Sequence, residues 1–303
     1  MVDNFIIHHA DCLEILQELP DQSVDTVIID PPYGIDVLND EWCEEKIKKR
    51  IDASSKSTIK KIPVGMKFDP ASSKNLGIFL QKVSTEIFRV LKPGSFYLVF
   101  SQPRSSHRVG CAIEDAGFEL RDQLIWYHNR GQCKAQGMQN FIKKAKTIPE
   151  NEKDKVVAKL DGFKTPQLGP TFETIWLGQK PKEGKFWENF LKYNVGLVDF
   201  REGSRKVSFH HGKPSKDERE EAGRHPTLKP VSLMRDLVKI FSPKGGIVLD
   251  CFCGSGTTGV AAMMENRRFI GVDASQNWHE VSSKRIEKYL TISETTYIDE
   301  TIT

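Results

Sequence analysis

The stretch LDCFCGSGTTGVAA, at residues 249–262, limits the possible folds more than any other feature of the chain. Asp250 ends a short apolar run, Gly254 and Gly256 follow, and small residues then open a helix. Glycine permits a tight turn with close backbone approach, and N–H groups at a helix N-terminus bind anions. Asp273 ends the next apolar run, where a carboxylate can accept both hydroxyls of a ribose. The unit predicts an α/β fold with a site for an adenosine-containing cofactor.

The spacing within this turn argues against two common adenosine ligands. The order Asp-x-Phe-x-Gly-x-Gly differs from the G-x-G-x-x-G pattern that is typical of NAD sites. It also lacks the G-K-[ST] sequence, and no lysine stands ready to bind a triphosphate. The cofactor is therefore expected to be neither NAD nor ATP.

The rest of the chain alternates between strand-like and helix-like segments, which favours a doubly wound, mostly parallel sheet. Helical apolar spacing follows the first strand from Cys12 and recurs later. The tail 291–303 is polar and is expected to be loose. The strands are predicted at 5–11, 26–30, 95–100, 119–128, 171–180, 246–250 and 268–273, and the clearest helices at 12–19, 76–91, from about 230, and 277–290.

The tetrapeptide Asp30-Pro31-Pro32-Tyr33 directly follows the strand that ends at Ile29. Proline has a fixed φ and no N–H, so the two prolines would hold the backbone carbonyls at this point rigidly. A carboxylate, a fixed carbonyl and an aromatic ring are more than a simple turn requires. The segment predicts a chemical site at the end of the strand.

Both motifs resemble those of the permuted, β-type amino DNA methyltransferases, in which the catalytic motif precedes target recognition and the cofactor motif comes last. Asp250-Cys-Phe252-Cys-Gly254-Ser-Gly256 is similar to the S-adenosylmethionine motif, and Asp30 to Tyr33 to the catalytic motif. His225 to Pro230, HPTLKP, is similar to the segment that precedes the cofactor motif.

The resemblance implies a seven-stranded, Rossmann-like methyltransferase sheet that is circularly permuted and carries an inserted target-recognition region. The segments at 5–11, 268–273 and 246–250 would be its third, second and first strands, beside the catalytic strand. The chain would then divide into a catalytic half at 1–132 with a basic insertion at about 36–73, a target-recognition region at 133–222, a cofactor-binding half at 223–290 and the tail at 291–303.

The resemblance also implies cofactor contacts for residues outside the glycine turn. Asp11 and Cys12 would reach the cofactor pocket, with Asp11 near the adenine. Asp11 has an equally good interpretation as a helix N-cap, because Glu14 follows it as in a capping box. Thr227 and Lys229 could hold the methionine carboxylate of the cofactor, whereas the alternative is a helix start with Pro230 in its first turn. We expect Phe252 to line the pocket or to pack on the sheet, and His225 to have a structural role.

The chemistry expected of the tetrapeptide is methylation of an exocyclic base amine. The lone pair of such an amine is delocalised into the ring, and acceptors for its two hydrogens would release the pair for attack. Asp30 and the Pro31 carbonyl can act as these acceptors, while Tyr33 can stack on a base flipped out of double-stranded DNA. In the family an acid at the first position mostly accompanies adenine N6, and serine mostly accompanies cytosine N4. We therefore expect an adenine-N6 methyltransferase that needs no metal, and cytosine N4 is the alternative.

Other classes fit less well. A glutamine-methylating enzyme acting on proteins has Asn-Pro-Pro-Tyr and places its cofactor motif first. A catalytically inactive DNA-binding module would not need both motifs intact. The expected partner is double-stranded DNA, and the sequence leaves open whether a restriction endonuclease partner exists and whether the chain works as a monomer or a homodimer.

Composition adds little beyond these motifs. No apolar run approaches a membrane span, and the six cysteines are scattered, so a cytoplasmic protein with reduced thiols is expected. The net charge of +3 does not establish DNA binding, but residues 42–61 hold seven basic side chains against three acids. This segment is either a solvated surface or a basic loop that meets DNA. The aromatics Phe186, Trp187, Phe190 and Tyr193 of the middle region are expected to form a small local core.

Overall fold

The computed structural model describes residues 4–32, 70–128, 131, 133, 135–166, 168–201 and 206–300, with side chains from residue 73 in the second helix and up to residue 290 in the last. Tyr33 and the basic segment 42–61 lie outside these residues. The strands are β1 Phe5–His9, β2 Val24–Ile29, β3 Leu91–Ser101, β4 Glu119–Tyr127, β5 Phe172–Gln179, β6 Ser208–His210, β7 Ile247–Asp250 and β8 Arg268–Asp273.

The helices of the described residues alternate with these strands along most of the chain. They are α1 Cys12–Glu18, α2 Pro70–Val90, α3 Ser106–Asp115, α4 Gln139–Lys144, α5 Glu150–Lys159, α6 Phe186–Tyr193, α7 Lys216–Glu221, α8 Val231–Phe241, α9 Thr257–Met264 and α10 Gln276–Glu300.

All eight described strands join one sheet in the order β1-β8-β7-β2-β3-β5-β4-β6. Within that order β5 is antiparallel to both of its neighbours, and every other pairing is parallel. The mostly parallel, doubly wound sheet predicted from the sequence is confirmed, with one strand more than the expected seven. The additional strand is the short β6, which pairs with the end of β4.

The order of the strands agrees with a permuted chain. β1, from the N-terminus, pairs with β8 from the C-terminal half, and β7 pairs with β2. Of the three strands expected beside the catalytic strand β2, only β7 is hydrogen-bonded to it, while β8 and β1 follow outward. Part of the middle region also belongs to the sheet, because β5 lies between β3 and β4.

Two hydrophobic cores cover the two faces of the sheet. Ile28 faces a core shared with α8, α9 and α10, and Val27 and Ile29 face a core shared with α1, α2 and α3. All six residues of β2 are buried, as expected for a parallel strand covered by helices on both sides. This arrangement fixes the position at which β2 ends.

Two sequence expectations differ from the structure. The last helix runs to Glu300 and so includes most of the segment 291–303 that was expected to be a loose tail, in which no Gly or Pro interrupts the helix. The local core expected around α6 was wrong for two of its four aromatics, because Phe186 and Trp187 are 44% and 57% exposed. Their rings instead lie beside cations, with Lys182 over Phe186 and Lys185 over Trp187.

Candidate functional site

The residues singled out by the sequence meet at one edge of the sheet, where the parallel strands have their carboxyl ends. Asp30 follows β2, and the glycine turn follows β7, which pairs with β2 through Val27 and Leu249. Asp273 ends β8, and Asp11 follows β1. In open α/β sheets ligands bind at this edge, beside the strand ends.

The turn after β7 has the backbone conformation that its glycines allow. Gly254 has φ +51° and Gly256 has φ +79°, values that side chains with a Cβ rarely adopt. A Cβ on Gly254 would lie 3.0 Å from His225 Nε2, and one on Gly256 would lie 2.9 Å from Ser282 Cβ. The turn is therefore packed closely against His225 and Ser282, and its glycines leave room for no side chain there.

Two aspartates hold this turn through backbone and hydroxyl groups. Asp250 accepts hydrogen bonds from the Phe252 N–H at 3.0 Å and from Thr258 Oγ1 at 2.5 Å. Asp273 accepts from the N–H groups of Gly254 at 2.7 Å and Ser275 at 2.9 Å. Each carboxylate oxygen of Asp273 already accepts one donor, so a ribose would use its remaining lone pairs.

An arginine of α10 supports the start of helix α9. The guanidinium of Arg285 is buried, and its Nη1 donates to the Ser255 carbonyl at 3.1 Å and to Thr257 Oγ1 at 2.9 Å. The turn is thus fixed from the next strand, from its own helix and from α10.

Burial changes the acidity of the aspartate at the end of β7. It raises the pKa of Asp250 from an ordinary 3.8 to about 7, and the nearby negative charges of Asp30 and Asp273 act in the same direction. The hydrogen bonds from Thr258 and Phe252 oppose the rise without cancelling it. The role of Asp250 in the structure is to accept the hydrogen bonds from Phe252 and Thr258 that hold the turn.

Asp30 is joined to the middle of the chain by a network of buried and half-buried charges. The ammonium of Lys229 contacts Asp30 Oδ2 and lies 3.2 Å from Glu173 Oε2. Glu173 Oε1 in turn accepts from Lys213 at 2.7 Å. Lys229 also lies over the ring of Phe100, 5.0 Å from its centroid. Lys229, Glu173 and Lys213 thus form a chain of three charges that ends at the residue predicted to be catalytic.

The charges in this network keep one another ionised. Burial alone would raise the pKa of Glu173, but Lys229 and Lys213 outweigh it and lower that pKa to about 2. Burial would likewise lower the pKa of Lys229, whereas Asp30 and Glu173 raise it above its ordinary value. At neutral pH Glu173 and Lys229 therefore both carry charge.

The other predicted residues lie at or near the same edge. Asp11 is the N-cap of α1 and accepts from the Leu13 N–H at 2.8 Å, so its capping interpretation is confirmed. Cys12 is buried, and burial raises the pKa of its thiol to about 12. Thr227 is exposed. The ring of Phe252 packs against that of Phe79, with 6.0 Å between the ring centroids.

The structure also describes the prolines of the tetrapeptide and the HPTLKP segment. Pro31 is buried, and Pro230 is the N-cap residue of α8, one position earlier than the first turn expected for it. His225 packs edge-on against Trp278 with 4.4 Å between ring centroids, which agrees with the structural role expected for it. Burial, together with the charges of Lys229 and Arg285, lowers the pKa of His225 to about 4.

Glu173 and Lys213 are absent from the residues that the sequence analysis singled out. Glu173 lies on the face of β5 that also carries Ile175 and Leu177 of the core. An acid at an inward position of a strand is a signal that the sequence contains, because a buried carboxylate needs a partner. Lys213 has no such signal, since it follows a short strand in a polar segment.

Comparisons with known proteins agree with this geometry. The profile of the N6_N4_Mtase family, described as DNA methylase, matches residues 24–284. The type II methyltransferase M.HindIII of Haemophilus influenzae is 29% identical over 301 residues, covering 92% of this chain and 94% of that protein.

Two solved structures share the fold. The S-adenosylmethionine complex of M1.HpyAVI has a TM-score of 0.56 at 20% identity, covering 93% of this chain and 98% of that one. The cytosine-N4-specific PvuII DNA methyltransferase has a TM-score of 0.59 at 16% identity, covering 96% and 92%. Throughout the described ranges, no helix is both long and apolar enough to cross a membrane.

Proposed function

Since the chain belongs to the N6_N4_Mtase family of DNA methylases and is an S-adenosylmethionine-dependent DNA methyltransferase, we propose that it methylates the exocyclic N6 amine of adenine in double-stranded DNA. The observation that carries the choice of adenine is Asp30, an acid at the first position of the catalytic tetrapeptide. Its place beside the glycine turn supports the proposal, because the acceptor and the methyl donor must meet there.

In this proposal Asp30 and Pro31 prepare the amine for attack. The Asp30 carboxylate and the Pro31 carbonyl accept the two amine hydrogens, which directs the nitrogen lone pair out of the ring plane. The same acceptors stabilise the positive charge that develops on nitrogen as its new bond to carbon forms. Pro31 and Pro32 restrict the backbone, and Tyr33 stacks on the flipped base. The extra proton leaves the nitrogen after transfer.

The cofactor pocket is proposed along the glycine turn. S-adenosylmethionine supplies a methyl group on a sulfonium, and the sulfur leaves with the electron pair of the broken bond. Gly254 and Gly256 let the backbone of the turn approach the cofactor closely. Asp273 accepts hydrogen bonds from the ribose through its remaining lone pairs. Asp250 shapes the turn from below.

The pocket also draws on the N-terminal strand and the HPTLKP segment. Asp11 contacts the adenine in addition to capping α1, and Cys12 and Phe252 form an apolar wall of the pocket. Thr227 and Lys229 take the methionine carboxylate, for which Lys229 would share its ammonium between that group and Asp30.

Labelled S-adenosylmethionine and unmethylated genomic DNA test the target. After incubation with the protein, the DNA is digested and the labelled nucleoside is identified. N6-methyladenine is the expected product. Detection of labelled N4-methylcytosine would show that the target is cytosine and not adenine. Label found in protein alone would contradict the proposed reaction on DNA.

Replacing the proposed acceptor tests the mechanism. Asp30→Ala should reduce transfer by about 10² to 10³-fold or more, with cofactor binding largely kept. Asp21→Ala is the matched control. Asp21 is an exposed carboxylate that pairs with Arg89, and it precedes the start of β2, at the end of the strand away from Asp30. A fully active Asp30→Ala enzyme would contradict the proposed role.

The proposal also covers the partners of the enzyme and its location in the cell. The region 133–222 would read the recognition sequence, and the basic segment 42–61 would meet the DNA backbone. We also propose that a restriction endonuclease with the same DNA recognition sequence accompanies this enzyme. The enzyme would act as a homodimer and lie in the cytoplasm. Protection of methylated DNA from cleavage and light scattering of the purified protein test the first two.

A further inference from the structure

The carboxylate of Glu173 lies between two buried or half-buried lysines at the edge of the sheet that carries Asp30. Lys213 Nζ lies 2.7 Å from its Oε1, and Lys229 Nζ lies 3.2 Å from its Oε2. Lys229 in turn contacts Asp30. The chain of charges therefore alternates in sign from Lys213 to Asp30.

We propose that Glu173 is a positioning residue for methyl transfer, which holds Lys229 so that this lysine orients Asp30 without neutralising it. The inference rests on the proposed role of Asp30 as acceptor for the target amine. Glu173 itself touches neither the base nor the methyl donor in this proposal, and it acts through Lys229.

The geometry explains why a second carboxylate is needed. An ammonium has three N–H donors and no acceptor, and that of Lys229 is buried over Phe100. If Asp30 were the main counter-charge of this buried ammonium, the ion pair would draw on the lone pairs that the amine hydrogens require. Asp30 is the nearer counter-charge, and Glu173, with its Oε2 3.2 Å from the same ammonium, shares that positive charge and so leaves Asp30 more of its acceptor capacity.

The charges support the same division of roles. Although burial opposes ionisation, Lys229 and Lys213 bring the pKa of Glu173 to about 2, so Glu173 is ionised at every pH at which the enzyme would work. Lys213 lies over the ring of Trp126, 4.3 Å from its centroid, and thereby anchors the other side of Glu173. The carboxylate is held at a fixed place between the two lysines.

A purely structural role is a poorer account of the network. Buried ion pairs are seldom needed for stability, because their desolvation cost offsets much of their attraction. β5 already pairs with β3 and β4 along its length, and its Ile175 and Leu177 lie in the core. The backbone pairing of β5 does not depend on a charge at position 173, although removing one partner of a buried ion pair costs stability because the other charge is left uncompensated.

The test compares two changes at position 173 with a matched control. Glu173→Gln removes the charge at nearly constant shape, and Glu173→Asp keeps the charge on a shorter side chain. Glu183→Gln is the control, because Glu183 also pairs with a lysine, Lys192 at 2.7 Å, beyond the opposite end of β5. The measurements are the single-turnover rate of methyl transfer to DNA at saturating cofactor, the dissociation constant of S-adenosylmethionine by calorimetry, and the urea midpoint of unfolding.

We expect Glu173→Gln to slow transfer by on the order of tenfold or more, while cofactor affinity is unchanged or increased because Lys229 keeps its charge. Glu173→Asp should recover part of the rate, and Glu183→Gln should equal the wild type. An unchanged rate in Glu173→Gln, or parallel losses of rate, cofactor affinity and stability, would overturn the inference.

A double variant separates positioning from folding. Glu173→Leu with Lys213→Met replaces the pair by apolar side chains, a change that folded proteins often accept. Slow transfer in a stable double variant supports the inference, and restored transfer overturns it. Failure of the proposed function would look different, since the wild type would then leave DNA unlabelled or Asp30→Ala would remain active.

Discussion

Gly256 offers a sharp test of how the cofactor turn is built, since its backbone and its surroundings both oppose a side chain. Its φ of +79° lies in the left-handed region, and a Cβ there would meet Ser282 Cβ at 2.9 Å and Ser282 Cα at 3.1 Å. The second contact is with the backbone of α10, which cannot rotate away. Gly256→Ala should therefore be costly for two separable reasons.

Gly245 isolates the first of these reasons. Its φ is +74°, nearly that of Gly256, but a Cβ on Gly245 would have no atom within 4 Å among the described residues. The left-handed conformation costs an alanine about 1–2 kcal/mol, and the stiffer unfolded chain returns about 0.4–1 kcal/mol. Gly245→Ala should lower the free energy of unfolding by about 1 kcal/mol.

The close contact with Ser282 adds to this in Gly256→Ala. Overpacking typically costs about 1–3 kcal/mol, so the total loss should be about 2–4 kcal/mol. Cofactor affinity should also fall in Gly256→Ala, because the turn must shift away from α10 and so change the backbone that is proposed to approach the cofactor. It should stay unchanged in Gly245→Ala.

Urea unfolding of the two variants and the wild type measures the free energies, and calorimetry measures the dissociation constant of S-adenosylmethionine. The decisive quantity is the difference between the variants, since both share the conformational penalty. Equal losses of stability in the two variants would refute the packing argument. Full cofactor affinity in Gly256→Ala would refute the assignment of this turn to the cofactor.

Two further changes test the structure away from Asp30. The folded-state pKa of His225, about 4, lies below its ordinary 6.5, so stability should be lost as pH falls through that window. His225→Phe, which keeps an aromatic ring beside Trp278, should lose less unfolding free energy between pH 7 and 5 than the wild type; equal losses would contradict this. Lys180→Met removes the donor to the Phe88 and Leu91 carbonyls, at 2.6 and 2.7 Å, at the far end of β5. It should cost about 1–3 kcal/mol by urea unfolding with the transfer rate unchanged, and a slower rate in the folded variant would contradict the separation of this end from the site.

The two motifs were accessible to sequence reasoning because each is continuous along the chain. Asp250, Gly254 and Gly256 lie within seven residues, and local rules for turns and helix starts apply to them directly. The alternation of strands and helices predicted the sheet for the same reason, since periodicity is local. The exposed Phe186 and Trp187 were misjudged because burial depends on what covers a helix, and the sequence does not state that.

The sequence alone therefore determined the class of fold, and it predicted a cofactor role for the glycine turn and a catalytic role for the tetrapeptide that ends at Tyr33. Only the tertiary structure decided that Lys229 and Glu173 stand together at Asp30, because these residues are far apart in the chain and meet only through strand order. The physical reason is the antiparallel β5, which enters the sheet beside β3 and brings its first residues to the carboxyl ends of the parallel strands. Charge pairing at a buried site follows from that placement, and no local pattern specifies it.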